Sequence, residues 1–275
     1  MFSAPDAAVG QSTHGTAPQA SPPQHTPRPR RPPRLPGRPR RSPSWVSLVP
    51  WNADRTVAAS GSPSNSPSRS LLRDAVFAIL LENILLGAYR RGERLRLEDI
   101  ADDLQVSRTP VREALVPLEA LRLVVVQRYV GVVIAHWSVD HMVERLRIAR
   151  SMLDEPPACA GAANDRFDPA LLVGRRTEAG CLGVLGVWVL RRSGAAVCAD
   201  WLEAQLPVLD VFFTDDVAAA NGIDAALDRG RRIAILHRAR RAAEADAVSE
   251  CGTALIELVD ALIAMPERFR VAASA

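Results

Sequence analysis

Residues 106–115 read VSRTPVREAL, and they lie between two short amphipathic stretches. Leu97, Ile100, Ala101 and Leu104 form one apolar stripe, and Val111, Ala114, Leu115 and Leu118 form the other; each has the i, i+3, i+4, i+7 spacing of a helix about two turns long. Between them, Gln105 to Thr109 is a polar turn. Ser107 and Thr109 are its candidate N-caps, and Pro110 falls where a first helical turn tolerates a missing N–H. The outline is a helix-turn-helix. On a wheel phased by the apolar stripe, Thr109 falls opposite the core and Arg112 on its flank. Arg108 stands at the helix start, where N–H dipoles favour phosphate. An uncovered helix face with arginines at its N-terminal end suits a DNA major groove.

Upstream, Ser70 can cap a helix through Leu72, Val76, Ile79, Leu80 and Leu86, with Gly87 as its terminating glycine. A turn at Gly92-Glu93 leads into the helix-turn-helix. Downstream, β-branched residues predict a hairpin of Leu123 to Arg128 and Val132 to Ala135, joined through Tyr129-Val130-Gly131. Three helices followed by a hairpin make a winged helix over residues 70–137. Residues 1–69 precede it as a disordered tail: 14 of the 21 prolines lie in the first 70 residues, mixed with Ser, Arg and Gly. A basic arm with nonspecific DNA affinity fits that composition. A start codon assigned too early fits it equally.

Residues 138–275 read as a helical domain. A helix capped by Ser138 carries Met142, Leu146, Ala149 and Leu153 on one stripe until Pro156-Pro157. Helical periodicity returns at Leu202 to Thr214, Asp224 to Ala247 and Thr253 to Met265. The centre, 158–205, is poorly specified, and its apolar run Leu182 to Leu190 reads as a strand or as a buried helix. The fold class is therefore mainly α.

The chain has 275 residues, 48% of them apolar, which is ample for a core. Its net charge of +3 conceals an asymmetry. The first 70 residues hold nine arginines against Asp6 and Asp54, whereas the remainder has 25 arginines against 29 acids. Residues 71–137 are neutral, with nine of each sign, so DNA affinity there must depend on local placement of charge. Lysine is absent, a mark of GC-rich coding. Cys159, Cys181, Cys198 and Cys251 lie far apart with no C-x-x-C pair, which predicts reduced, mostly buried thiols in a cytoplasmic protein. No apolar run reaches the roughly 18 to 20 residues of a membrane span. The paired arginines at 30/31 and 40/41 lack the apolar segment that an export signal needs. No catalytic triad context and no phosphate-cradling glycine loop is present, so the expectation is a non-enzyme without cofactors.

The run VSRTPVREAL, together with Gly87, Gly92, Leu95, Ile100-Ala101, Leu118, Leu123-Val124, Gly131 and Val133, resembles the GntR family of bacterial transcription regulators. Within it, the closer similarity is to the branch with an all-helical (FCD-like) effector and dimerisation domain. The resemblance implies that Ser107, Arg108, Thr109 and Arg112 touch DNA, and that Arg128 and Gly131 belong to a wing that approaches the minor groove. Ordinary wing packing is the expectation for Tyr129. The resemblance further implies a homodimer on a palindromic operator and a small carboxylate effector, with Arg150 and Asp210 at pocket positions. Two departures stand out. Leu121-Arg122 replace the usual acid and glycine before the wing, and Pro117 falls late in the recognition helix, where it is expected to kink it.

Related regulators often hold a divalent metal through an Asp, a His four residues later and two further His. Here Thr214 stands where the first imidazole belongs. The histidines present, His14, His25, His136, His141 and His237, provide no later pair, so no metal is expected. Asp210 then reads as a solvated helix acid. Residues 164–205 fall outside the resemblance, which a degraded effector domain or a frameshifted stretch would explain. Besides the effector-controlled regulator, two readings stay open: an effector-independent or decaying regulator, and a protein-interaction module that reuses a winged helix.

Overall fold

The computed structural model describes residues 67–128, 131–155 and 165–273. The expectations placed on residues 1–66, Tyr129, Pro156-Pro157 and Cys159 lie outside the described residues. Helix α1 spans Pro67–Leu85. It starts before Ser70, which therefore lies inside it and is not its cap; Pro67, with its preset φ, occupies the first helical position. The C-terminus is as expected. Gly87 takes φ +73°, its N–H donates to Ile84 C=O at 3.1 Å, and Ala88 N–H reaches back to Asn83 C=O at 2.8 Å, the paired bonds of a Schellman motif.

Strand β1 (Arg94–Leu95), helix α2 (Leu97–Leu104), helix α3 (Arg108–Ala120), strand β2 (Val124–Gln127) and strand β3 (Gly131–Ile134) follow. The wing is thus a three-stranded antiparallel sheet of order β1-β3-β2, not a lone hairpin. In its register Val125 and Arg94 flank Val133 from either side. Leu81 and Ile84 of α1, Ile100 of α2, Val111 and Leu118 of α3, and Val124 and Ile134 of the sheet close one core. Each such side chain contributes roughly 1.5–3 kcal/mol by burial.

Helix α3 continues through Pro117 to Ala120, so the proline does not end it; what it removes is the intrahelical donor to the Glu113 carbonyl. The helix closes with the same bond pair as α1, Arg122 N–H to Glu119 C=O at 2.9 Å and Leu123 N–H to Leu118 C=O at 3.0 Å. Here the left-handed position is held by an arginine, Arg122, at φ +57°. A side chain in that conformation costs on the order of 1 kcal/mol. Arg122→Gly is therefore expected to stabilise the protein by about 1 kcal/mol, read as a higher urea midpoint at unchanged m-value. An unchanged or lower midpoint would contradict this description of the α3 terminus.

Helix α4 (Val139–Asp154) begins at Ser138, whose N–H donates to His141 Nδ1 at 3.0 Å. After it come α5 (Glu178–Arg192), α6 (Ala196–Phe212), α7 (Asp215–Ala220), α8 (Arg229–Glu244) and α9 (Val248–Ala273). The apolar run Leu182 to Leu190 is a helix, not a strand. Every residue of α5 from Ala179 to Leu190 is buried except the half-buried Cys181, because α6, α8 and α9 pack around it. Burial pushes the Cys181 thiol up to about 11 and the Cys251 thiol up to about 12, so both stay protonated at neutral pH.

The winged helix and the helical region are joined at helix ends. Asn221 Nδ2 donates to Leu85 C=O at 2.9 Å at the end of α1. Arg145 of α4 donates through Nη2 to Leu121 C=O at the end of α3 and through Nη1 to Gln205 Oε1 of α6. Desolvation lowers the Arg145 pKa, yet both terminal nitrogens have acceptors. Trp137 meets Phe212 edge-on, with centroids 6.5 Å apart. Among the described residues no helix is long and apolar enough to cross a membrane.

Candidate nucleic-acid interface

The turn between α2 and α3 is built by backbone geometry. Gln105 adopts φ +55° and Val106 N–H donates to Ala101 C=O at 2.9 Å, which reverses the chain within two residues. Ser107, extended at φ −73° and ψ 164°, is the residue before α3, and its side chain makes no capping bond. Thr109 lies within the first turn and is not a cap. Pro110, at the third helical position, is buried with Val111 and fixes how deeply α3 seats on the core. Consequently Ser107, Arg108, Thr109 and Arg112 are all exposed along the first turn and its flank.

Their electrostatics differ. Arg108 reaches Glu98 of α2 at 3.1 Å, an ion pair with both side chains more than half exposed, so water and salt screen it and it holds Arg108 only weakly. Arg112 has no ion-pair partner among the described residues, and Glu119, a plausible competitor, instead accepts Val126 N–H at 3.2 Å. That bond pins β2 to the last turns of α3. The free N–H groups of the α3 start add their partial positive charge to the same patch.

The wing brings a second group together. Arg128 is exposed just after β2, and Gly131 opens β3 at φ +97°, a conformation that favours glycine. A Cβ built on Gly131 would lie 3.6 Å from both Nε and Nη2 of Arg94. The Arg94 guanidinium therefore lies alongside the glycine, and sequence reasoning missed it. The signal was the alternation Arg94-Leu95-Arg96, with Leu95 only 5% exposed between two exposed arginines, the period of a strand.

The positions expected to hold an effector look different. Arg150 is bonded to Asp260 of α9 at 2.7 Å and to Asp154 one turn on at 3.4 Å. Asp210 is not a solvated helix acid: only 7% exposed, its Oδ1 accepts Arg176 N–H and Thr177 N–H, each at 2.9 Å, and the Thr177 hydroxyl at 3.1 Å. It holds the start of α5, where Thr177 Oγ1 in turn accepts Gly180 N–H at 3.1 Å. Desolvation raises the Asp210 pKa against these bonds and the nearby Arg175. The two residues are thus spent on separate helix contacts.

Residues 72–134 match the family described as bacterial regulatory proteins, gntR family. The "Uncharacterized HTH-type transcriptional regulator" of Mycobacterium tuberculosis strain CDC 1551 / Oshkosh is 32% identical over 98 residues, covering 32% of this chain and 40% of that protein. Its counterpart in strain H37Rv gives the same values. The match thus spans 40% of the length of these relatives. Among solved structures, E. coli McbR/YncC is similar at 20% identity and a TM-score of 0.44, covering 70% of this chain and 95% of that one.

Proposed function

We propose, from the match of residues 72–134 to the GntR family of bacterial regulatory proteins, that the protein is a non-enzymatic transcription regulator that binds a palindromic operator as a homodimer. The observation that carries this reading is the exposed first turn of α3, where Arg112 has no ion pair among the described residues and four polar side chains share one edge. In it α3 enters the major groove, Arg112 and Arg108 read guanine edges or grip phosphate, and Ser107 and Thr109 anchor the backbone. Arg128, Gly131 and Arg94 place the wing against the neighbouring minor groove, where a narrow groove concentrates negative potential. Two-fold symmetry of the operator follows from pairing two identical recognition helices.

A regulator without an organic-acid site at Arg150 and Asp210 is favoured, because both side chains already have protein partners. Anisotropy of a labelled random-sequence duplex across a salt series tests the DNA-binding part. The logarithm of the association constant should fall linearly with the logarithm of salt, and Arg94→Ala should make the slope shallower by about 1. A flat salt dependence would contradict DNA binding and favour a protein-interaction module.

A further inference from the structure

A cavity of about 490 Å³ opens where α1, α3 and α6 meet, within the range of small-molecule sites. Its walls are mostly apolar: Phe77 of α1, Val116 and Pro117 of α3, and Ala204 and Pro207 of α6. One polar side chain is set into this wall. Gln205 is only 6% exposed, and its Oε1 accepts from Arg145, which orients the amide. Its Nε2 donates no hydrogen bond among the described residues. The residue lines the cavity, so an acceptor in that space can take the place of water at this NH2 group.

The rim decides the charge of the occupant. Arg73 already donates to Asp74 at 2.8 and 2.9 Å, and Glu113 is the remaining charged lining residue, so these three carry one net negative charge. Behind Gln205, Arg145 does not line the cavity; its Nη1 and Nη2 point to Gln205 and to the Leu121 carbonyl, and its Nε is buried without a partner among the described residues. A carboxylate meets a net negative rim, and the one cation among the described lining residues, Arg73, is paired with Asp74.

We propose that this cavity is a binding site for an uncharged, largely apolar small molecule that carries one carbonyl acceptor, with the carbonyl bonded to Gln205 Nε2. Its occupant packs against Val116 and Pro117, about one turn along α3 from Arg112. It also bonds to the amide that Arg145 ties to the Leu121 carbonyl. Ligand and recognition helix therefore share one hydrogen-bonded linkage.

Prodan, a neutral naphthyl ketone whose emission shifts to the blue in apolar surroundings, is the probe, titrated into the full chain without DNA. Saturable one-site binding is expected. Gln205→Glu keeps an acceptor for Arg145 but removes the amide donor, and should weaken prodan about tenfold. Val116→Trp, at a position 67% exposed at the mouth and so harmless to folding, should abolish saturable binding by filling the cavity. Absence of saturable binding to the parent, or binding unchanged in both variants, overturns the site. Tighter binding of the anionic dye 8-anilinonaphthalene-1-sulfonate, with the same sensitivity to both variants, overturns the ligand class. Since no DNA is present, these outcomes are independent of whether the regulator reading stands.

Discussion

Arg112→Ala is expected to weaken binding to a selected operator by about 1–3 kcal/mol, roughly 5- to 150-fold, and to relax sequence preference at one position of each half-site. The size follows from what surrounds the side chain. Arg112 is exposed and has no ion pair to break among the described residues, so nothing in the free protein offsets a bidentate contact to a base. Arg108→Ala should cost less, because Arg108 must give up Glu98 before it engages DNA. Thr109→Ala, a backbone contact, should lower affinity for all sequences alike. Competition anisotropy against operators mutated one base pair at a time separates these outcomes. Equal affinity of Arg112→Ala and parent for every operator would remove α3 from the groove.

The second large effect lies in the helical region. Gly180, Gly183 and Gly186 line the side of α5 that meets α6, and a Cβ on Gly180 would overlap the Asp210 carboxylate. That carboxylate cannot step aside, since three donors from Arg176 and Thr177 hold its Oδ1. Helix propensity alone would reward alanine by about 1 kcal/mol. Overpacking reverses the sign, and Gly180→Ala should destabilise the protein by about 3 kcal/mol. Two controls bracket it. At Gly186 the added Cβ would meet Leu202 Cδ2 at 2.7 Å, the end of a side chain and not a held carboxylate, so its cost should be smaller, about 1 kcal/mol. At Gly252 the nearest atom is Val189 Cγ1 at 3.7 Å, and alanine there should stabilise by about 1 kcal/mol. Urea denaturation of the three variants reads the order, and a stabilised Gly180→Ala would show that α5 and α6 are not in close contact.

The winged helix was legible in the sequence where the signals are local. The stripes of α2 and α3, the Gly87 terminus and the alternation of β2 and β3 each depend on residues a few positions apart. Strand β1 was missed because the alternation Arg94-Leu95-Arg96 is only three residues long, and Arg94 acquires meaning only through its position beside Gly131. The helical region was harder for a physical reason. Helix α5 is buried on nearly all sides, so it has no amphipathic period, and its glycines read as breakers until α6 is placed against them. Asp210 shows the same limit. Its spacing suggested a ligand residue, but its partners Arg176 and Thr177 lie more than 30 positions upstream, beyond any local pattern. Arg145, which joins α3 to α6, likewise has no local signature.

Selection of bound duplexes from a random-sequence pool by the full chain tests the central claim most directly. An enriched inverted repeat, with two half-sites related by a two-fold axis, is the predicted result. A pool that returns no motif above its input would contradict sequence-specific DNA binding by this protein.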